Sequence, residues 1–315
     1  MQNSILQCTI THFFDLTEGC IPRTFIALRS VLYVPGSNEK AIKKTRNLPS
    51  DAIIFDLEDA VAPSAKEHAR ELVCNTVSEG GFGGRQVAIR VNTLGSSWGY
   101  DDLVAVAKTG ATAVLLPKVE SGDMVRQAIS ILEGAGAPDD LAIWCMMETP
   151  RGMLHAEEIA GSSHRIRAIV MGTSDLAKDL GAAHTKERLP FLTSFGLCLL
   201  AARAADVAIV DGVHLDLQDE AGFTSACEQG FELGFDGKSL IHPKTIATAN
   251  KAFAPTQSDI DMSENIIEAN KEALERGEGV VVVDGKLIEN LHVEGARRML
   301  LLANSIKELE KDAVN

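Results

Sequence analysis

The sequence is poor in several features, and each shortage removes a class of function. Only 5% of its 315 residues are aromatic, and no apolar run approaches the roughly 18 residues that a membrane-crossing helix needs. Positive charge is scarce: 30 Lys and Arg stand against 44 Asp and Glu, a formal charge of −14 with a pI near 5.0. Binding to nucleic acid or to an anionic membrane draws on basic patches and released counterions, so neither partner is expected. The six cysteines (Cys8, Cys20, Cys74, Cys145, Cys198 and Cys227) lie far apart, with no CxxC pair and no histidine at metal spacing. They read as buried free thiols in a reducing compartment. Residues 1–28 lack the charged start, apolar centre and small-residue cleavage site of a signal peptide, and Asp15 and Glu18 argue against a transit peptide. They are read as an N-terminal extension, and the expected location is cytoplasmic, or an organelle matrix in a eukaryote.

Eight short strand-like runs recur along the chain: RSVLYVPG (29–36), DAIIFDLED (51–59), QVAIRVN (86–92), TAVLLPKVE (112–120), LAIWCMMET (141–149), RAIVMGTSDL (167–176), VAIVDGVH (207–214) and GFDGKSLIHP (234–243). Helix signals separate them, among them Ser64 with Glu67 as a capping box and a stretch from Ser121 to Leu132. Near-continuous apolar strands alternating with helices indicate a parallel sheet covered on its outer side. The first turn, VPGSNEK, holds one glycine, so the glycine-rich phosphate turn of a dinucleotide fold is missing. The expected fold is α/β, a (β/α)8 TIM barrel over residues 29–255. Residues 256–315 return to a helical pattern around VVVVDGKLI and are read as a C-terminal helical arm or lid.

In such a barrel the chemistry gathers at the carboxyl ends of the strands. Asp56 and Glu58 are two apart and share a face of an extended strand. They either cap the next helix, pair with Lys66 or Arg90, or flank a cation. Glu148 and Asp175 end the fifth and sixth runs, beside the small residues Gly172, Thr173 and Ser174. Two carboxylates with open positions around them suit Mg²⁺, although an acid at a strand end is often only a helix cap. Arg90 closes the third run, where it either clamps a carboxylate through two hydrogen bonds or pairs with Glu58. His155, His214 and His242 are each acid, base or structural.

Taken in order, RSVLYVPGS, DAIIFDLEDAV with Lys66 and Arg70 after it, RVN, LLPKVE, METPRG, MGTSDLA and GFDGKSLIHP resemble the citrate lyase β-subunit-like (HpcH/HpaI aldolase/citrate lyase) family of CoA-ester lyases. The resemblance runs from Arg29 to Lys311 and is nearest the malyl-CoA lyase and (3S)-malyl-CoA thioesterase branch. It implies a Mg²⁺-dependent barrel, with Mn²⁺ as a substitute, assembled as a homotrimer or homohexamer. The partners it implies are a CoA thioester and a small oxo acid such as glyoxylate. Its first implication is Claisen-type cleavage of a malyl-CoA-like hydroxyacyl-CoA to acetyl-CoA or propionyl-CoA and an oxo acid. The alternative is hydrolysis of (3S)-malyl-CoA to malate and CoA, and a non-catalytic barrel subunit is the remote third. Carried over by motif, Glu148 and Asp175 hold the metal, and Arg90, Glu58 and Glu289 are catalytic. Glu289 would act from an arm lying over a neighbouring subunit, although it is followed here by Asn290 and Leu291 where many family members have a small or apolar residue and proline. Arg29, Pro35, Lys118, Gly172, Thr173, Ser174 and His242 would contact substrate or CoA, with Asp56, Asp59 and Lys66 supporting them from behind.

Overall fold

The structure is a computed structural model and describes residues 26–312. The extension expected over residues 1–28 therefore falls largely outside the described residues, as do Cys8 and Cys20. Eight parallel strands close into a barrel in chain order: β1 (Ser30–Pro35), β2 (Ala52–Asp56), β3 (Gln86–Arg90), β4 (Ala113–Leu116), β5 (Ala142–Met147), β6 (Ile166–Met171), β7 (Ala208–Asp211) and β8 (Gly237–Leu240). Around it run α1 (Glu39–Thr45), α2 (Lys66–Glu79), α3 (Gly99–Val106), α4 (Gly122–Gly134), α5 (Pro150–Leu154), α6 (Ala156–Gly161), α7 (Thr173–Leu180), α8 (Leu192–Ala204), α9 (Glu220–Leu233) and α10 (Ile246–Ala252). Then follow α11 (Gln257–Glu275), an antiparallel hairpin of β9 (Val281–Val283) and β10 (Lys286–Ile288), and α12 (Asn290–Asp312).

The strands are apolar on both faces because both are covered. Val31, Ile54, Leu115, Trp144 and Val170 fill the barrel interior, while Leu32, Phe55, Ile89, Val114 and Ile209 face the helices. Helix α4 illustrates the outer layer. The Ser121 hydroxyl accepts from the Met124 N–H, and Val125, Ala128, Ile129 and Leu132 form the buried stripe toward the barrel. The seam between β8 and β1 needs Gly237, where a Cβ would overlap the Leu28 carbonyl. At the opposite end, a Cβ on Gly36 would come 2.7 Å from the Asp56 carbonyl oxygen, so the first loop can fold close over the end of β2.

Two local expectations change. The Ser64–Glu67 capping box does not form: Pro63–Ala65 make a 3₁₀ turn, and α2 starts at Lys66 with no side-chain cap. Residues 173–176, read as strand, form the first turn of α7. The C-terminal segment, expected to lie over a neighbouring subunit, also touches its own barrel. Helix α12 packs against α11, and its last turns meet the amino-terminal end of the barrel, where the Ala27 N–H donates to Ser305 Oγ and Arg29 pairs with Glu310. No helix among the described residues is long and apolar enough to cross a membrane.

Candidate functional site

The carboxyl end of the barrel gathers charge from strands that are neighbours in the wall. Pro35 ends β1 in register with Asp56, and Asp56 ends β2 in register with Arg90. The buried Arg90 guanidinium donates from Nε to Asp56 Oδ1 at 2.7 Å and from Nη2 to Asp56 Oδ2 at 2.6 Å. Burial alone would raise the Asp56 carboxyl, but hydrogen bonds and charge from Arg90 outweigh it and hold it below its ordinary value. The Arg90 cation also lies over the Tyr33 ring, 5.2 Å from its centroid, with Met146 Sδ 3.5 Å from Nη1. The two-bond clamp on a substrate carboxylate is thereby revised, because Asp56 occupies that fork. Nη1 is left, 3.0 Å from Glu58 Oε2 but outside hydrogen-bond alignment with it.

A pH dependence follows from Asp56. Its folded value lies below the ordinary 3.8, so its contribution to stability is complete above that pH and is lost as pH falls through the folded value. Asp56→Asn is expected to flatten the acid limb of the melting temperature against pH. At neutral pH the same variant should lose roughly 3–5 kcal/mol in urea unfolding, because the buried Arg90 loses the carboxylate that takes two of its hydrogen bonds. An unchanged acid limb would show that Asp56 does not carry it.

The loop after β2 is held from behind. Lys66 Nζ donates to the carbonyls of Leu57 at 2.8 Å and Glu58 at 2.6 Å, and Asn92 Nδ2 donates to Leu57 O at 3.0 Å. Lys66 thus supports the site through backbone, and no ion pair to Asp56 or Glu58 is needed. Asn92 is fixed in turn by the buried Asp102, which also takes Arg70 Nε at 2.6 Å.

Glu148 follows the last residue of β5 and lies on the interior face with Trp144 and Met146. Burial pushes its carboxyl up to about 8, against the opposing pull of Lys118. Its Oε1 accepts the Lys118 N–H at 2.8 Å, and Gly172 makes room for it: a Cβ there would stand 2.5 Å from Glu148 Oε2. Asp175 comes from the first turn of α7, behind the buried Thr173 and the exposed Ser174. Lys118 brings these acids together. Its Nζ is 2.6 Å from Glu58, 3.4 Å from Asp175, 3.9 Å from Glu148 and 3.8 Å from Asp59. Burial would lower its pKa, but the surrounding carboxylates raise it. Burial raises the Glu58 carboxyl despite Arg90 and Lys118.

Five carboxylates (Asp56, Glu58, Asp59, Glu148 and Asp175) therefore face two cations, Arg90 and Lys118. No cluster of three or more His, Cys, Asp or Glu side chains poised for a metal occurs among the described residues. The donor set still fits a hard divalent cation of the Mg²⁺ kind. Glu148 and Asp175 offer only oxygen, the Lys118 ammonium lies within 4 Å of both, so that one cation reaches the two carboxylates together, and Mg²⁺ takes few protein ligands.

Three expected site residues stand apart from the acid cluster of this chain. Arg29 precedes β1 at the amino-terminal end, where its N–H and guanidinium bind Asp51, so it is removed from the pocket at the opposite mouth. Its position at the start of a strand and not its end was the available signal. His242 is exposed beyond β8, its Nδ1 accepting the Lys244 N–H at 3.1 Å, and the structure does not join it to the acids. Glu289 is exposed between β10 and α12, roughly 24 Å along the helix from Ser305 at 1.5 Å per residue. Its N–H donates to His292 Nδ1, and it is not brought to this chain's own cluster. Of the other histidines, His155 is spent on the Glu120 carbonyl at 2.7 Å, and His214 lies 3.9 Å from Asp219. Asn92, the last residue of the RVN motif, belongs to the site, as do Tyr33, Met146 and Asp102, which the motifs did not single out; Tyr33 stands two residues from Val31, on the inward face.

Comparison with known proteins bears on this geometry. The profile described as HpcH/HpaI aldolase/citrate lyase matches residues 29–243. A (3S)-malyl-CoA thioesterase of Cereibacter sphaeroides (strain KD131 / KCTC 12085) is 48% identical over 278 residues, 88% of this chain and 95% of that one. The citrate lyase subunit beta of Escherichia coli (strain K12) is 35% identical over 277 residues, 86% and 92% of the two chains. Among solved structures, the protein CitE of Mycobacterium tuberculosis in complex with magnesium, acetoacetate and coenzyme A superposes with a TM-score of 0.69 at 26% identity, covering 87% of this chain and 97% of that one.

Proposed function

The chain belongs to the HpcH/HpaI aldolase/citrate lyase family, and from that premise we propose that it hydrolyses (3S)-malyl-CoA to malate and CoA with Mg²⁺ at Glu148 and Asp175. Family membership makes it an enzyme, a carbon–carbon lyase or a thioester hydrolase. Between those two, the observation that carries the proposal is the 48% identity to a (3S)-malyl-CoA thioesterase across 95% of that relative, against 35% to a citrate lyase β subunit. Hydrolysis therefore takes precedence over the carbon–carbon cleavage that the sequence motifs placed first.

Magnesium bound at Glu148 and Asp175 would supply concentrated positive charge for the substrate's oxygens. Arg90 Nη1, fixed in aim by Asp56 on the other edge of the guanidinium, donates to a substrate oxygen that gains negative charge. Glu58 is the candidate base. Burial raises its carboxyl, which favours proton uptake; Oε2 is itself buried 3.0 Å from Arg90 Nη1 without an aligned hydrogen bond, so the attacking water must enter beside it to be deprotonated. The water oxygen bonds to the thioester carbon, the carbon–sulfur bond breaks, and CoA leaves as thiolate. Pro35 and the N-terminal turn of α7, with Gly172, Thr173 and Ser174, border the same mouth. Glu289 is assigned to the site of a neighbouring copy in a homotrimer or homohexamer.

Incubation of the purified protein with Mg²⁺ and (3S)-malyl-CoA tests the reading. Malate with free CoA is the expected product pair. Acetyl-CoA with glyoxylate would establish the lyase in its place, and no turnover of any hydroxyacyl-CoA would leave a barrel that has lost catalysis.

A further inference from the structure

We propose that Lys118 is a built-in counter-ion that competes with the divalent cation for Glu148 and Asp175 and swings away from them, tethered by its hydrogen bond to Glu58, when the cation enters. The inference rests on the cation site proposed above and concerns what controls its occupancy.

The Lys118 ammonium has contacts of two kinds. With Glu58 it makes a short hydrogen bond of 2.6 Å, whereas Asp175 at 3.4 Å and Glu148 at 3.9 Å are held by charge alone. A positive charge within 4 Å of both intended ligands repels a second cation there, and the repulsion falls off with distance. The side chain has a way out, because it is 34% exposed while Glu148 is 1% exposed. Its departure need not disturb the ligand. Glu148 is held by the Lys118 backbone N–H, at 2.8 Å, and not by the ammonium. The backbone at Lys118 is left-handed, φ 49°, which is uncommon for a residue with a side chain. That conformation directs the N–H to Glu148 and the ammonium into the acids at once, so one residue both positions a ligand and neutralises it. Without the ammonium, Glu58, Glu148 and Asp175 would face one another with Arg90 as the remaining cation near Glu58.

The test compares metal-free full-length proteins, with Mn²⁺ as the probe followed by electron paramagnetic resonance, and with the melting temperature measured alongside. Lys118→Met is expected to bind Mn²⁺ roughly tenfold more tightly than the unsubstituted chain, by removal of the nearby like charge. Its metal-free form should melt lower and recover at saturating Mn²⁺. Lys118→Gly accepts the left-handed backbone and should behave the same way, which guards against a folding defect in the first variant. Glu58→Gln frees the ammonium to settle on Glu148 and Asp175, and should weaken Mn²⁺ binding more in the chain that keeps Lys118 than alongside Lys118→Met. Equal or weaker Mn²⁺ binding by both Lys118 variants overturns the inference while leaving the cation site standing. A folded unsubstituted chain that binds no Mn²⁺ removes the site and the inference together.

Discussion

Glu148→Gln is expected to abolish saturable Mg²⁺ or Mn²⁺ binding and to lower turnover by roughly 10²–10³-fold or more, the equivalent of losing several kcal/mol of charge stabilisation. The same substitution should leave the metal-free fold as stable as before, or more stable. The reason is the environment of the carboxylate. Glu148 is 1% exposed, burial pushes it up to about 8, and the ammonium of Lys118 is 3.9 Å away, beyond a hydrogen bond. Such a group is costly to ionise in the empty site, and a bound divalent cation is what makes its charge worthwhile. A glutamine keeps the acceptor for the Lys118 N–H, fits beside Gly172, and carries no charge to bury. Calorimetric cation titration, turnover and thermal melting should therefore separate, with the first two lost and the third kept. A residue of purely structural importance would lose all three together, and full activity in Glu148→Gln would remove it from the site.

Asp211→Ala is expected to cost roughly 3–5 kcal/mol in urea-induced unfolding, the usual penalty for stranding buried charge. Asp211 is fully buried at the end of β7, and its Oδ2 takes both Lys238 Nζ at 2.7 Å and Arg188 Nη1 at 2.6 Å. Lys238 is 1% exposed, and without the carboxylate it keeps only the Gly212 carbonyl at 2.7 Å. A combined Asp211→Leu, Lys238→Met variant should recover much of the loss, since well-packed apolar groups replace a buried pair at little cost. Cation affinity at Glu148 and Asp175 should be unchanged in folded protein. A loss below about 1 kcal/mol, the range of exposed ion pairs, would show that the triad is better solvated than its burial indicates.

Asp211 also shows where sequence reading reached its limit. DGVH ends a strand as FDLED and MMET do, and all three promise an acid at the mouth. Asp56 and Glu148 keep that promise because they share the inward face with Ile54 and with Trp144 and Met146. Asp211 shares the outward face with Ile209 and meets Lys238 and Arg188 behind the wall. A strand covered on both sides carries no polar–apolar alternation, so its sequence does not reveal which parity faces in. The same limit hid Tyr33, which resembles any other large residue in RSVLYVPG until the barrel closes it under Arg90. Lys118 was expected at the substrate, but its place among the acids depends on a left-handed backbone that no local pattern in LLPKVE announces.

By itself the sequence determined the eight strand–helix units, their order and the acids that follow several of the strands. Those features are local: apolar runs of strand length, turn residues between them, and acids placed directly after a strand. Tertiary structure alone decided that Asp56 occupies the Arg90 fork, that Arg29 belongs to the far end with Asp51, and that Lys118 stands among the acids. It also decided that the last turns of α12 dock at the amino-terminal end of their own barrel. Each depends on facing and register between segments tens to hundreds of residues apart. Barrel closure imposes that relation on all eight strands at once, and no single stretch of chain contains it.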